Sequence, residues 1–95
     1  MDEIKIEGVR LSPLKIIDGE KGSVLHAMKQ DDPGFEGFGE AYFSTVIKGA
    51  VKGWKRHTRM TLNLVVPFGS IRFVIYDDRE NSITRDSYFD VTLSR

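Results

Sequence analysis

The sequence predicts an all-β fold of the sandwich or barrel kind, and two observations carry that prediction. Apolar and polar residues alternate in short runs, most clearly over residues 60–66 and 71–76, which is the period of a strand with one buried face. Turn-forming clusters separate these runs at regular intervals, as in sheets built from many short strands. Helical periodicity is missing. Only residues 41–52 could pass for a helix, and their Val, Ile, Thr and Gly count against one.

Taken in order, Ile4, Ile6 and Val9 open the chain with an alternating pattern. Leu14-Lys15-Ile16-Ile17 runs into the turn Asp18-Gly19-Glu20-Lys21-Gly22, and Val24-Leu25-His26-Ala27-Met28 returns. In Asp31-Asp32-Pro33-Gly34, Pro33 presets φ and Gly34 accepts a positive φ, so a turn is expected. Residues 35–39 form a glycine-rich aromatic loop, and residues 40–47 are aromatic and β-branched, as strands prefer. Residues 60–66 are the clearest strand: Met60, Leu62, Leu64 and Val66 face one way, Thr61, Asn63 and Val65 the other. Pro67-Phe68-Gly69-Ser70 turns the chain. Ile71, Phe73 and Ile75 then alternate with Arg72, Val74 and Tyr76, a polar turn covers residues 77–81, and residues 88–93 form a last strand.

Length and composition limit the function. Ninety-five residues allow one small domain, 1–95, with a thin core that dimerisation would help. A hydrophobic content of 40% is globular rather than disordered. Cations and anions both number 14, which argues against a bulk polyanion binder. The chain has no cysteine, which excludes disulfides, thiolate metal sites and a Cys nucleophile, and suits the cytoplasm. The acidic start Met1-Asp2-Glu3 does not read as a signal peptide. No run approaches the roughly 18 apolar residues of a membrane span, so no membrane association is expected.

The residues with the most chemistry lie in Lys48-Gly49-Ala50-Val51-Lys52-Gly53-Trp54-Lys55-Arg56-His57. Lys52, Lys55 and Arg56 can hold phosphate oxygens by charge-assisted hydrogen bonds. Trp54 offers a flat face to a base or sugar, and a histidine such as His57 can serve as general base near neutral pH. Plainer readings stand beside these. A Lys/Arg run is often a solvated face, a lone His is often structural, and a Trp often belongs to a core. A nucleic-acid patch also fits cations interleaved with an aromatic, but the zero net charge and the lack of a nucleic-acid motif speak against it.

Spacing adds a resemblance. Gly49 is followed by five residues and Lys55-Arg56-His57, then by Leu62 after four more and Gly69 after a further six. This resembles the first motif of the cupin jelly roll, or double-stranded β-helix, in which Gly leads to His-x-His, Glu and Gly. Lys55 stands at the first His and Leu62 at the Glu, so the frame keeps one imidazole and no carboxylate, and no metal is expected. The chain is similar to the dTDP-4-dehydrorhamnose 3,5-epimerase family. The similar segments are residues 18–23, Ser44 with the Lys-Gly, apolar pair and Lys-Gly that follow it, and the stretch from Pro67 through the Asp77-Asp78-Arg79 ending. Lys52-Gly53-Trp54-Lys55-Arg56-His57 and Asp77-Asp78 also resemble the related dTDP-sugar 3,4-ketoisomerases.

The resemblance implies a nucleotide-diphosphate sugar as partner, enolate chemistry beside a 4-keto group, no cofactor, and a homodimer. It implies His57, Lys55 and Asp77 as catalytic residues. Lys52, Arg56, Trp54 and Tyr42 become substrate contacts, with Lys52 at a diphosphate-binding Arg position and Tyr42 and Trp54 stacking on the nucleotide. A non-catalytic sugar-binding cupin with a degenerate site is the alternative. Parity puts Asp77 on the face of Ile71, Phe73 and Ile75, and a regular strand cannot turn Lys52 and His57 the same way without a bulge at Gly53. The family's second motif has no counterpart here. The chain therefore reads as the N-terminal portion of the usual fold, completed by strand exchange or by further sequence.

Overall fold

The computed structural model describes residues 4–95. The acidic start Met1-Asp2-Glu3 lies outside the described residues. Four strands and no helix occur among the rest: β1 (Ile16–Ile17), β2 (Val24–Leu25), β3 (Ser70–Tyr76) and β4 (Tyr88–Ser94). The chain divides into two compact units, one of the described residues up to Ala27 with Val65–Arg95, the other Met28–Leu64.

In the first unit, β1 and β2 form a short antiparallel hairpin with Ile16 opposite Leu25 and Ile17 opposite Val24. Its turn closes where the Gly22 amide donates to the Gly19 carbonyl at 3.1 Å. The expected strands on either side of this turn are thus present but short. Strands β3 and β4 pair antiparallel over seven residues each, from Ser70 opposite Ser94 to Tyr76 opposite Tyr88. Burial alternates as the sequence requires. Ile71, Phe73, Ile75, Phe89, Val91 and Leu93 face inward, while Arg72, Val74, Tyr76, Tyr88, Asp90 and Thr92 are exposed. The outer face is tied by Arg72, which donates to both Asp90 carboxylate oxygens, and by the Tyr76 and Tyr88 rings, 4.7 Å apart.

The beginning of the chain departs from expectation. Ile4, Ile6 and Val9 do not form a strand; the Val9 amide donates to the Ile6 carbonyl in a turn that Gly8 allows with φ +87°. Ile6 is nevertheless buried, as is Phe89, and the two are the buried apolar residues among the described residues of this unit. The adjacent Glu7 amide donates to Thr84 Oγ1, and Arg79 donates to the Glu7 carbonyl, so the turn is fastened to the loop between β3 and β4. At the other end of the hairpin, Arg95 donates to Asp18 and Ser23 in the β1–β2 turn.

In the second unit the turn at Pro33-Gly34 is present, with the Phe35 amide donating to the Asp32 carbonyl at 3.0 Å. The strands expected over residues 40–47 and 60–66 are not formed. A strand is defined by ladder bonds to a neighbour, and these runs have none among the described residues. Side-chain and turn bonds tie each of them to other residues of the unit instead. Asn63 donates to the Gly34 carbonyl, Thr61 to Glu36, and Lys52 to Ser44, while the Ala50 amide closes a turn on the Ile47 carbonyl. Residue numbers fall along one limb as they rise along the other, so residues 34–64 form a two-limbed antiparallel arm. Its tip is at Lys48-Gly49, where Gly49 supplies the positive φ (+84°) of the turn.

Candidate functional site

Six of the seven residues singled out in the sequence lie on this arm. Tyr42 is on the outgoing limb; Lys52, Trp54, Lys55, Arg56 and His57 are on the return limb. All six are exposed. The ties that set the arm's register bring Tyr42 level with Trp54 and Lys55. Lys52 Nζ donates to Ser44 Oγ at 3.1 Å, which steadies that ammonium beside the tip turn. Ser44, which the sequence shows only as part of a motif, is thus a positioning group. Because no regular strand runs through residues 52–57, the conflict of parity between Lys52 and His57 does not arise, and no bulge at Gly53 is needed. The Gly53–Trp54 peptide is cis.

The return limb concentrates charge. Lys48, Lys52, Lys55, Arg56 and Arg59 lie on it without an acidic residue, so the limb presents a cationic edge with Trp54 and His57 in its middle. Such an edge suits a phosphorylated ligand with a ring to stack. Among the described residues, no group of three or more His, Asp or Glu side chains is arranged to hold a metal ion. No helix among them is long and apolar enough to cross a membrane.

Asp77 belongs to the other unit, one residue past β3, and is 3% exposed. Parity had placed it on the inner face of the strand, where it is found. Its carboxylate is fully engaged. Oδ1 accepts from the Arg79 amide at 3.1 Å and Arg79 Nε at 2.9 Å, and Oδ2 accepts from Ser82 Oγ at 2.6 Å and Thr84 Oγ1 at 2.7 Å. The backbone of Asp77 pairs with Ser87 and Asp86 across the loop. The Arg79 guanidinium, followed by the Ser82 and Thr84 hydroxyls, holds the Asp77 carboxyl far below the usual carboxylate range, against the opposing effect of burial. The same ion pair raises Arg79. Asp77 therefore organises the loop of residues 77–87. Ser82 and Thr84 escaped the sequence reading; the signal for them was a pair of hydroxyls spaced one apart, a few residues after Asp-x-Arg. At the loop's far end the Tyr76 hydroxyl donates to Asp86 at 2.5 Å, which raises Tyr76, and Asp86 adopts a positive φ of 70°.

Comparison with known proteins gives this geometry a context. The whole chain matches the crystal structure of a dTDP sugar isomerase from Desulfovibrio desulfuricans G20 at a TM-score of 0.84 and 40% identity, covering 60% of that protein. The fold is all-β, of the cupin type expected from the sequence. A probable low-salt glycan biosynthesis epimerase from Haloferax volcanii is 32% identical over 82 residues, and the spore coat polysaccharide biosynthesis protein SpsL from Bacillus subtilis is 29% identical over 80. Each of these two matches covers 84% of this chain and 53% of the relative, so the chain spans about half the length of the curated relatives it matches. No family model matches the sequence. The resemblance to sugar epimerases and isomerases thus holds at that broad level.

Proposed function

We propose that the chain carries part of the site of a sugar-nucleotide epimerase or isomerase, acting on a dTDP-4-keto-6-deoxysugar in deoxysugar or polysaccharide biosynthesis. The observation that carries this reading is the match of the entire chain to a dTDP sugar isomerase at 40% identity, with the cationic limb and His57 inside the matched region. Lys52 and Arg56 hold the diphosphate, and Trp54 and Tyr42 flank the nucleotide. The His57 imidazole takes a proton from the carbon beside the 4-keto group. The electron pair moves onto the keto oxygen, and the Lys55 ammonium stabilises the resulting enolate. Return of a proton to the same carbon from the other side gives an epimer, as in 3,5-epimerases; when the enolate oxygen takes a proton, the neighbouring hydroxyl gives one up and the former keto carbon takes the returning proton, the product is a keto shift. Asp77 acts as an orienter through the loop it holds, rather than as a proton carrier.

The reading includes one cupin-like domain, a cytoplasmic setting and a homodimer formed through the open early hairpin, where Ile16, Ile17 and Val24 are exposed. A sugar-binding module without turnover is the second reading, favoured by Lys55 and Leu62 at the positions of a cupin His and Glu. Incubating the protein with a dTDP-4-keto-6-deoxysugar in deuterated water tests the first. Deuterium at the carbons flanking the keto group is expected. Calorimetric binding of dTDP with no deuterium incorporation supports the second instead.

A further inference from the structure

The first unit is built from two stretches that are not continuous in sequence, the described residues up to Ala27 and Val65–Arg95. Among the described residues no ladder joins them, since β1–β2 and β3–β4 are separate sheets. Side chains of the second stretch join them at two places instead. In the loop of residues 77–87, Thr84 Oγ1 accepts from the Glu7 amide at 3.0 Å and Arg79 donates to the Glu7 carbonyl at 2.7 Å. Just past β4, Arg95 donates to Asp18 Oδ1 at 3.0 Å and to Ser23 Oγ at 3.3 Å.

The grip at Glu7 has the features of a peptide-binding site. Both main-chain polar groups of one residue are taken, as a ladder partner would take them, while Glu7 itself is exposed. Ile6, beside it, is 5% exposed, so an apolar side chain is seated where the main chain is held. Gly8 follows at φ +87°, and a Cβ there would lie 3.7 Å from Arg79 Nη1, so the turn leaving the grip favours glycine. Both sides of the grip start from one buried carboxylate: Asp77 accepts from Thr84 Oγ1 at 2.7 Å and from Arg79 Nε at 2.9 Å. With these two side chains already fixed, little rotamer freedom is lost when Glu7 is held. The Arg95 contact differs. Its side chain is 45% exposed and that of Asp18 77%, so solvent screens the pair.

We propose that the loop of residues 77–87 is a receptor for the chain's own segment Ile6-Glu7-Gly8, and that this grip, rather than the covalent connection through residues 28–64, keeps the two stretches of the first unit together. Cut at the tip of the arm, between Lys48 and Gly49, the chain therefore remains one particle made of two pieces. The Arg95 contact is secondary. The inference concerns how the unit is held and is independent of the proposed chemistry, so it stands or falls without any turnover.

The test uses the full chain with a site-specific protease sequence inserted between Lys48 and Gly49, folded first and then cut. The expected result is that the two pieces elute together as a one-to-one particle by light scattering. The Glu7, Asp86 and Ser87 amides then exchange within about threefold of their rates in the uncut chain. Thr84→Val removes the acceptor for the Glu7 amide and weakens the association of the cut pieces by about tenfold. Arg95→Ala weakens it by about threefold. Glu7→Ala, and Thr61→Ala with Asn63→Ala, which removes side-chain ties of the arm, change it by less than about twofold. Exchange of β3 and β4 as in wild type shows that each variant is still folded. Exchange of Glu7 in the cut wild type is informative without any variant: protection supports the grip, and exchange at the rate of an unstructured peptide overturns it. Separation of the pieces on cutting, or association lost with the arm's ties rather than with Thr84, also overturns the proposal. So does Glu7 protection that appears only as concentration rises and two copies associate, because the segment is then held by a neighbour.

Discussion

The β3–β4 hairpin and the arm of residues 34–64 have similar sequence patterns and different fates. In the hairpin every second residue turns inward, the ladder runs the full length of both strands, and the loop at its end is closed around a buried carboxylate whose oxygens are all engaged. In the arm the alternation of Met60, Leu62 and Leu64 is just as regular, but all three are exposed and no ladder forms. Periodicity tells which face of a strand is suited to burial. It does not supply the neighbour that buries it.

Substitutions should therefore separate the two regions by their effect on stability. Phe89→Ala removes one of the two buried apolar side chains and should cost about 3–4 kcal/mol, enough to unfold much of the hairpin unit in a thermal melt. A melt unchanged by this substitution would break the comparison.

Asp77→Asn should come next, lowering Tm by about 10 °C, because Arg79 then loses its ion pair in a part-buried site. The pH dependence follows from the sign of the shift. The folded carboxyl lies below its unfolded value of about 3.9, so its contribution is complete above that value and is lost as pH falls below it. Wild type and Asp77→Asn melting curves should converge on acidification below about pH 4. A constant gap between them from neutral to acidic pH would show that the carboxylate charge is not what holds the loop.

Phe43→Ser is the smallest effect and the sharpest contrast. The side chain is 99% exposed, so the stability of the free chain should move by no more than about 0.5 kcal/mol. A larger loss in chemical denaturation would mean that the arm is packed in the free chain.

Much of this was legible in the sequence. The alternation of residues 71–76 and 88–93 read correctly because the two runs find each other within the chain. Asp77 read correctly as inward-facing, since parity depends only on the strand's period. Its partners did not, because Ser82 and Thr84 reach it through loop turns that no period describes. The opening residues were misread for a related reason: Gly8 at positive φ bends an apolar pattern into a turn, and Ile6 is buried without a strand. On the arm, the alternation of residues 60–66 suggests a strand, whereas the side-chain ties and turns that hold these residues follow no period.

The most direct test of the functional account is solvent deuterium incorporation into a dTDP-4-keto-6-deoxysugar by wild type and His57→Ala. The account predicts incorporation by wild type and a loss of about 100-fold or more in His57→Ala, with dTDP binding retained. Equal incorporation by both proteins, or none by folded wild type, would contradict it.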